Sequence, residues 1–363
     1  MKREIICRWA AAAALAFAGT SWRAVAVEPA EAAGLLSRTS SDEELNKISL
    51  SYRMGLNIKV DFNKLGGFAR IGDPGPATGA NFDRTYEQGG YNRVDIWDNF
   101  EGRTWFYGYD NPQALQGDYV VLQSSASPAN RSVEGKEESV QHGVELAYTR
   151  QLARGKYGKL GAEVSFSYVP LSISDSTPLK GTVDRILDRY DTGGVNPPLA
   201  PFHGSFDQPN ARISSSPNRD RVLLRQEADI LGERTLEADV FVFRLGPSHE
   251  FLIKGRLSGN VGAGLTLAIA DADFSYRETV SIPGVGTQTR SASSSSQDFL
   301  VGWYAGAALS FRVANHTDVF AGAYFQSAGD AVTKSGRGDL GSKEGVLDLD
   351  ESVVVNFGIS YSF

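Results

Sequence analysis

The C-terminal stretch Leu347-Asp348-Leu349-Asp350-Glu351-Ser352-Val353-Val354-Val355-Asn356-Phe357-Gly358-Ile359-Ser360-Tyr361-Ser362-Phe363 decides the fold class. Its odd positions are apolar except Glu351, and its even positions are polar or small except Val354. Side chains of an extended chain point alternately to two faces, so this stretch is a strand with one greasy and one polar face. A half-buried strand of a soluble protein shows the same alternation but typically runs ~5–6 residues. A strand that crosses a bilayer needs ~9–11 tilted residues, and this one has them.

Seven further segments share the character. Ile48 to Phe62 sets Ile48, Leu50, Tyr52, Met54, Leu56, Ile58, Val60 and Phe62 against Ser49, Ser51, Arg53, Lys59 and Asp61. Val140 to Gln151 sets Val144, Leu146 and Tyr148 against Gly143 and Glu145, with His142 on the apolar side. Lys159 to Ile173 sets Val164, Phe166 and Tyr168 against Glu163 and Ser165. Thr235 to Leu245 sets Leu236, Ala238, Val240 and Val242 against Glu237 and Asp239, with Phe241 and Phe243 blurring the polar side. Leu257 to Phe274 and Asp298 to Val313 alternate similarly with small polar-side residues, and Asp318 to Gln326 is undecided between its faces.

The connections strictly alternate: 63–139 long, 152–158 short, 174–234 long, 246–256 short, 275–297 long, 314–317 short, 327–345 long. Transmembrane barrels have short turns on the periplasmic side and long loops outside. The expectation is an all-β fold, a transmembrane antiparallel β-barrel of eight strands over 48–363, with large outer loops at about 63–139 and 174–234. Ten strands is the alternative, if Thr104–Tyr109 and Tyr119–Gln123 entered the membrane as a further hairpin. Both are short for spanning, which favours a β extension above the membrane.

The N-terminus supports export. Lys2, Arg3 and Arg8 precede the alanine-rich segment Trp9 to Ala18, which is too short for a membrane helix. Residues 1–26 read as a signal peptide cleaved after Ala24-Val25-Ala26, with small-x-small alternatives at Ala16-Phe17-Ala18 and Ala30-Glu31-Ala32. Residues 27–47 then form a periplasmic segment. Cys7 is the only cysteine, so the mature chain offers no thiol, disulfide or cysteine metal site. No metal or other cofactor is expected. The net charge of −7 argues against nucleic acid. Tyr361 and the terminal Phe363 resemble the C-terminal signal of outer-membrane proteins that the barrel-assembly machinery reads, which makes that machinery, outer-membrane lipids and lipopolysaccharide the expected partners.

The first long loop is aromatic: Tyr91-Asn92-Arg93-Val94-Asp95-Ile96-Trp97, Gly102-Arg103-Thr104-Trp105-Phe106-Tyr107-Gly108-Tyr109, and Gly117-Asp118-Tyr119-Val120-Val121-Leu122. The second carries Gly193-Gly194-Val195-Asn196-Pro197-Pro198-Leu199-Ala200-Pro201-Phe202-His203-Gly204-Ser205-Phe206. These stretches resemble an uncharacterised family of outer-membrane β-barrel proteins found in Verrucomicrobia and their relatives. The resemblance covers nearly all of the mature chain and implies a fold and a location, with no site residues to transfer.

Candidate chemistry falls into four groups. The inward polar set is Arg53, Lys59, Glu145, Glu163, Glu237, Asp239, Arg312 and Asn356, expected to pair across a lumen only wide enough for side chains. A gated ion path through the same pairs is the alternative. Trp97, Trp105, Phe106, Tyr107, Tyr109 and Tyr119 either pack on one another or form a surface that binds sugar or protein. Asp271, Asp273, Asp348 and Asp350 mark the outer strand ends, as solvated carboxylates or as ligands of a cation bridging to lipopolysaccharide. His142 faces lipid, where a lipid-modifying enzyme would need a hydroxyl and a carboxylate beside it. The expected role is structural or surface-binding with a filled lumen and no enzymatic activity. A narrow channel is the alternative, and a lipid-modifying enzyme the third reading.

Overall fold

The computed structural model describes residues 45–79, 82–94, 101–137, 140–204, 211–336 and 340–363. The expected signal peptide at 1–26, most of the 27–47 segment and Trp97 lie outside the described residues. Eight strands carry the fold: β1 (Asn46–Leu56), β2 (Gln141–Gly155), β3 (Gly158–Asp175), β4 (Asn218–Lys254), β5 (Leu257–Ile282), β6 (Gly286–Ala314), β7 (Thr317–Ser327) and β8 (Ser352–Ser362). Each pairs antiparallel with its neighbour in the chain, and β8 pairs with β1 from Lys47↔Ser362 to Leu56↔Val353. The ring is therefore a closed eight-stranded up-and-down barrel, and closure leaves no backbone edge facing lipid.

The outward face carries the apolar belt. Leu50, Val144, Leu245, Leu265, Val301, Leu309, Phe357 and Ile359 are all exposed large hydrophobics on barrel strands. At its upper border Tyr168, Phe241, Ile269 and Phe299 stand side by side across β3 to β6. The next outward row is Pro170, Asp239, Asp271 and Gln297, and the one above it Ser172, Glu237, Asp273 and Ser295. The outer surface thus changes from lipid-compatible to water-compatible within one row.

The inner face changes at the same level and in the opposite sense. Below it point Glu145, Glu163, Ser165, Ser167 and Arg244; above it, Val169, Leu171, Ile173, Leu236, Ala238, Val240, Ala270, Ala272 and Phe274 are buried. This overturns the assigned facing of Thr235 to Leu245: Leu236, Ala238, Val240 and Val242 point inward, and Glu237 and Asp239 point outward. The physical reason is the change of solvent. Above the border the outside is water, so the apolar face of the strand turns in.

β1 and β8 leave the barrel at this border. Asn57 adopts a left-handed φ of 62° and its side-chain amide donates to the carbonyl of Glu351 at 3.0 Å, a conformation asparagine tolerates better than most residues. Beyond it, Lys59–Leu65 joins Arg131–Glu137, Lys343–Asp348 and Asp330–Ser335 in a four-stranded sheet. Ile58, Val60, Phe62, Leu347 and Leu349, expected on the lipid face, instead pack into the same apolar core as Leu236 and Phe274.

The long connections are ordered above the membrane. The 275–297 loop is a continuous ribbon, with β5 and β6 paired up to Ile282↔Gly286. Leu179–Asp191 pairs with the upper part of β4 and with Tyr119–Ala126. Tyr119–Ala126 therefore extends the sheet outside the barrel, while Arg103–Thr104 and Tyr107–Tyr109 pair with Ile213–Ser214 and Phe202–His203. None enters the barrel wall, so the ten-strand alternative is excluded.

Candidate functional site

Two places collect chemistry: the lumen within the lipid-facing belt, and the lobe built by the two large loops. In the lumen, Arg244 on β4 meets Glu145 on β2 at 2.7 Å and donates from Nε to Ser165 Oγ at 3.0 Å. Its guanidinium lies 3.8 Å from the ring centroid of Tyr324 and 4.8 Å from that of Tyr304. Tyr324 donates to the second Glu145 oxygen at 2.9 Å, and Asn356 donates to the first at 3.3 Å. Arg53 hydrogen-bonds Ser167 and reaches Gln326 at 3.5 Å. Thr149 donates to Glu163 at 3.4 Å. Two cations and two carboxylates thus fill the middle of the barrel with formal charges that cancel.

A second charged layer lies at the end of the barrel that carries the short turns. Lys47 contacts Glu250 at 2.6 Å and Asp318 at 3.9 Å, and Arg312 donates to Asp318 at 3.0 Å. Between the layers lies a cavity of about 100 Å3 whose lining includes Glu145, Glu163, Arg244 and Lys47. Its lining reaches no higher than Glu145, Arg244 and Tyr324, and above them the apolar core begins.

Of the expected lumen set, Arg53, Glu145, Glu163 and Asn356 come together, and Arg312 sits at the periplasmic end. Glu237 and Asp239 lie outside the barrel, where Asp239 accepts from the Tyr168 hydroxyl at 2.7 Å. Lys59 lies in the sheet above it. Arg244, Tyr324, Gln326, Asp318, Glu250 and Lys47 join the lumen beyond the expected set, and Tyr304 faces inward as the alternation of its strand implies. Arg244 was the available signal, since it shares its strand face with Leu236 and Val240 and a cation cannot face lipid cheaply.

Above the apolar core a buried ion network ties the strands to the sheet. Arg234 contacts Asp175 at 2.7 Å and Glu278 at 2.8 Å, and Lys343 contacts Glu278 at 2.5 Å. Burial alone would raise the Asp175 carboxyl, but hydrogen bonds from Lys136, Thr177 and Arg234 outweigh it and hold its pKa below the usual value. Burial pulls the Lys343 ammonium down despite Glu278.

The lobe has its own aromatic core of Tyr86, Tyr107, Tyr109, Val120, Leu122, Tyr190 and Ile213, with Phe202 packed against it. Tyr107 and Tyr109 are therefore interior residues and carry no surface-binding role. Burial raises both phenols, Tyr109 to about 12. The Tyr86 hydroxyl donates to Asp188 at 2.5 Å and shares a 2.6 Å hydrogen bond with Tyr190. Arg219 grips Asp188 through Nε and one terminal nitrogen, each at 2.6 Å, and donates to the carbonyls of Pro74 and Gly75. Arg84, fully buried, donates to the carbonyls of Phe82, Ser215, Pro76 and Gly79 at 2.9–3.1 Å. These two arginines fasten the first loop to the second, a role hidden in loop sequence.

Trp105 and Phe106 remain half-buried, with the Arg212 guanidinium 4.4 Å from the Trp105 ring. His142 faces outward, stacked on Tyr52 and hydrogen-bonded to its hydroxyl. Asp330, Asp348 and Asp350 form an acidic group at the upper border, in which Asp350 accepts from Ser327 at 2.7 Å and from Gly329 at 2.8 Å. Asp271 and Asp273 point outward on β5, apart from that group. Tyr361 and Phe363 are exposed at the periplasmic end with rings 6.3 Å apart.

No protein-family model matches the chain, and no curated protein matches it. Solved structures similar to it are outer-membrane barrels. Outer membrane protein OprG from Pseudomonas aeruginosa is 9% identical, covers 88% of this chain and 95% of its own, and superposes with a TM-score of 0.34. Ail, the attachment invasion locus protein of Yersinia pestis, is 11% identical over 88% of this chain and 100% of its own, with a TM-score of 0.27. The outer membrane protease OmpT of Escherichia coli is 9% identical over 90% of this chain and 99% of its own, with a TM-score of 0.31. The closed ring of eight antiparallel strands and its exposed apolar belt carry the assignment of this chain as a transmembrane β-barrel.

Proposed function

We propose that the protein is a closed outer-membrane anchor that holds an ordered lobe at the cell surface, with a structural or surface-binding role. The observation that carries this reading is the double closure of the lumen. Within the belt, Arg244 pairs with Glu145, Arg53 bonds Ser167 and Gln326, and Glu163 accepts from Thr149, so that two cations and two carboxylates occupy the lumen with cancelling formal charge; above it, the apolar core around Val240, Ala270 and Phe274 fills the same ring of strands. The lobe has a separate core and interlocked loops, as a surface for recognition requires.

The partners belong to the same proposal. Outer-membrane lipid and lipopolysaccharide contact the apolar belt, the barrel-assembly machinery reads Tyr361 and Phe363, and the extracellular ligand is taken up by the lobe. No enzymatic role is assigned to His142, whose hydrogen-bond partner is the Tyr52 phenol.

A narrow channel is the competing reading, favoured by the cavity of about 100 Å3 beside Glu145 and Glu163. Single-channel recording of the refolded mature protein in a planar bilayer separates the two. The closed anchor gives no steady conductance in the wild type. Steady conductance there overturns it in favour of a channel, and conductance only in Arg244→Ala overturns the double closure by showing that the apolar core does not seal the lumen by itself.

A further inference from the structure

The lobe presents an aromatic surface on the outer side of one small sheet. Tyr91 and His203 both stand opposite Gly108, one on each neighbouring strand. Tyr107, Tyr109 and Phe202 turn into the core, so Tyr91, Phe106, Gly108 and His203 belong to the opposite face. Gly108 is required there: a Cβ on it would lie 2.4 Å from the Tyr91 ring and 2.8 Å from the Phe202 carbonyl oxygen. The missing side chain lets the Tyr91 ring lie over the backbone, with its plane within 11° of the His203 ring 6.2 Å away. The Phe106 ring follows at 5.7 Å from Tyr91, its plane tilted 55° from that of the tyrosine.

Charged groups bracket the rings. The Arg93 guanidinium lies 5.3 Å from the Tyr91 centroid and 5.2 Å from that of Phe106. At the other end His203 Nε2 is 3.0 Å from an Asp110 carboxylate oxygen, with both side chains about half exposed. The Tyr91 hydroxyl is engaged with the Gly204 carbonyl at 3.3 Å, which fixes the ring edge, and the part of the ring outside the Arg93 guanidinium remains partly exposed.

We propose that this face binds an oligosaccharide, its sugar rings lying on Tyr91, Phe106 and His203 and its hydroxyls paired with Arg93 and Asp110. The proposal rests on the surface-binding reading above and names the class of ligand. One exposed ring and two partly exposed ones, spaced 5.7 and 6.2 Å apart, suit the C–H faces of successive pyranoses, and a donor at one end with an acceptor at the other suits vicinal hydroxyls. A folded protein partner needs an interface of ~800 Å2 per side, more than these few side chains supply. Nucleic acid is disfavoured by the net charge of −7 and by Asp110 within the site.

The test uses the full mature protein in detergent on a printed array of defined oligosaccharides containing neutral hexoses, N-acetylhexosamines and uronic acids, followed by calorimetry with the best-retained one. Loss of a stacking ring removes ~0.5–1.5 kcal/mol beyond area burial, so Tyr91→Ala and Phe106→Ala should each weaken binding several-fold and the double variant at least tenfold. Tyr91→Phe should bind as the wild type does, and His203→Ala, a change at an exposed position, should weaken binding without affecting folding. An array that retains nothing, or binding indifferent to the double variant, overturns the proposal. Because the bilayer recording does not involve this face, silence on the array with no conductance removes the sugar and leaves the closed anchor standing.

Discussion

The same strands enclose two interiors of opposite character. Between Val261 and Ile269, β5 turns Val261, Leu265 and Leu267 outward and Gly262, Gly264 and Thr266 inward. Twelve residues on from Val261, the same strand turns Asp273 and Ser275 outward and Ala272, Phe274 and Val280 inward. Neither the pleat nor the pairing has changed. What changes is the medium outside the wall. Lipid rewards no apolar interior, so the enclosed part is free to hold charge, whereas water drives apolar groups in. The two parts are therefore held by different forces and should fail differently.

The largest difference is expected at their centres. Arg244→Ala strands the Glu145 carboxylate without its cation, and breaking a buried pair in this way costs ~3–5 kcal/mol. Phe274→Ala leaves a cavity in the upper core at a similar ~3–5 kcal/mol. The distinction lies in rescue. Replacing the pair together, as Glu145→Gln with Arg244→Met, removes both charges and should recover most of the loss, while no second substitution of a charge repairs Phe274→Ala. Urea unfolding of the refolded protein in vesicles measures all three, and an Arg244→Ala variant as stable as the double one would show that the pair does not organise the lumen.

The position of the border is sharpened by a smaller pair of substitutions. Leu245 and Glu237 both face outward on β4, below and above the level at which the surface changes. An arginine on the lipid face near the midplane costs ~2–4 kcal/mol, so Leu245→Arg should be destabilising by that order. Glu237→Arg replaces one water-facing charge by another and should stay within ~0.5 kcal/mol. Comparable costs at the two sites would place Glu237 in lipid and refute the inversion.

The inversion also explains what could be read from sequence. Strand number, pairing order and the facing of β1, β2, β5, β6 and β8 within the belt follow from alternation alone, because there the lipid-facing residues are the apolar ones. Thr235 to Leu245 straddles the border, and it carries apolar residues on one face above it and on the other below it. A rule calibrated on lipid assigns such a segment by its longer apolar run and misplaces Glu237 and Asp239. Ile58, Phe62, Leu347 and Leu349 continue the parity of the belt but lie past Asn57 and Glu351, both at left-handed φ, where the chain leaves the barrel. The lobe was legible as aromatic loops, yet which rings are core and which are surface depends on Tyr91, Gly108 and His203 meeting across three strands, and that pairing joins residues far apart in the chain.

Acid provides the mildest separation of the two parts. Above the membrane, Asp184 is held below its usual pKa first by its hydrogen bond from Arg221 and also by Arg70, and Asp175 is held low by Lys136, Thr177 and Arg234 against its burial. A carboxyl whose folded pKa lies below its unfolded value of ~3.9 stabilises the fold fully above that pH and loses the contribution as pH falls through it toward the folded value. The upper ion network and the Leu179–Asp191 strand should therefore loosen first, below about pH 4, while the hydrogen-bonded barrel in lipid persists. Near-UV circular dichroism of the aromatic lobe, recorded alongside the heat-modifiable gel mobility of the barrel, follows the two separately. Asp175→Asn should flatten the acid response of the near-UV signal, since the titrating group is gone. A lobe signal that falls only when the barrel mobility does would mean that the water-facing and lipid-facing parts unfold as one unit, and that the change of interior at Asp239 and Asp271 is no boundary of stability.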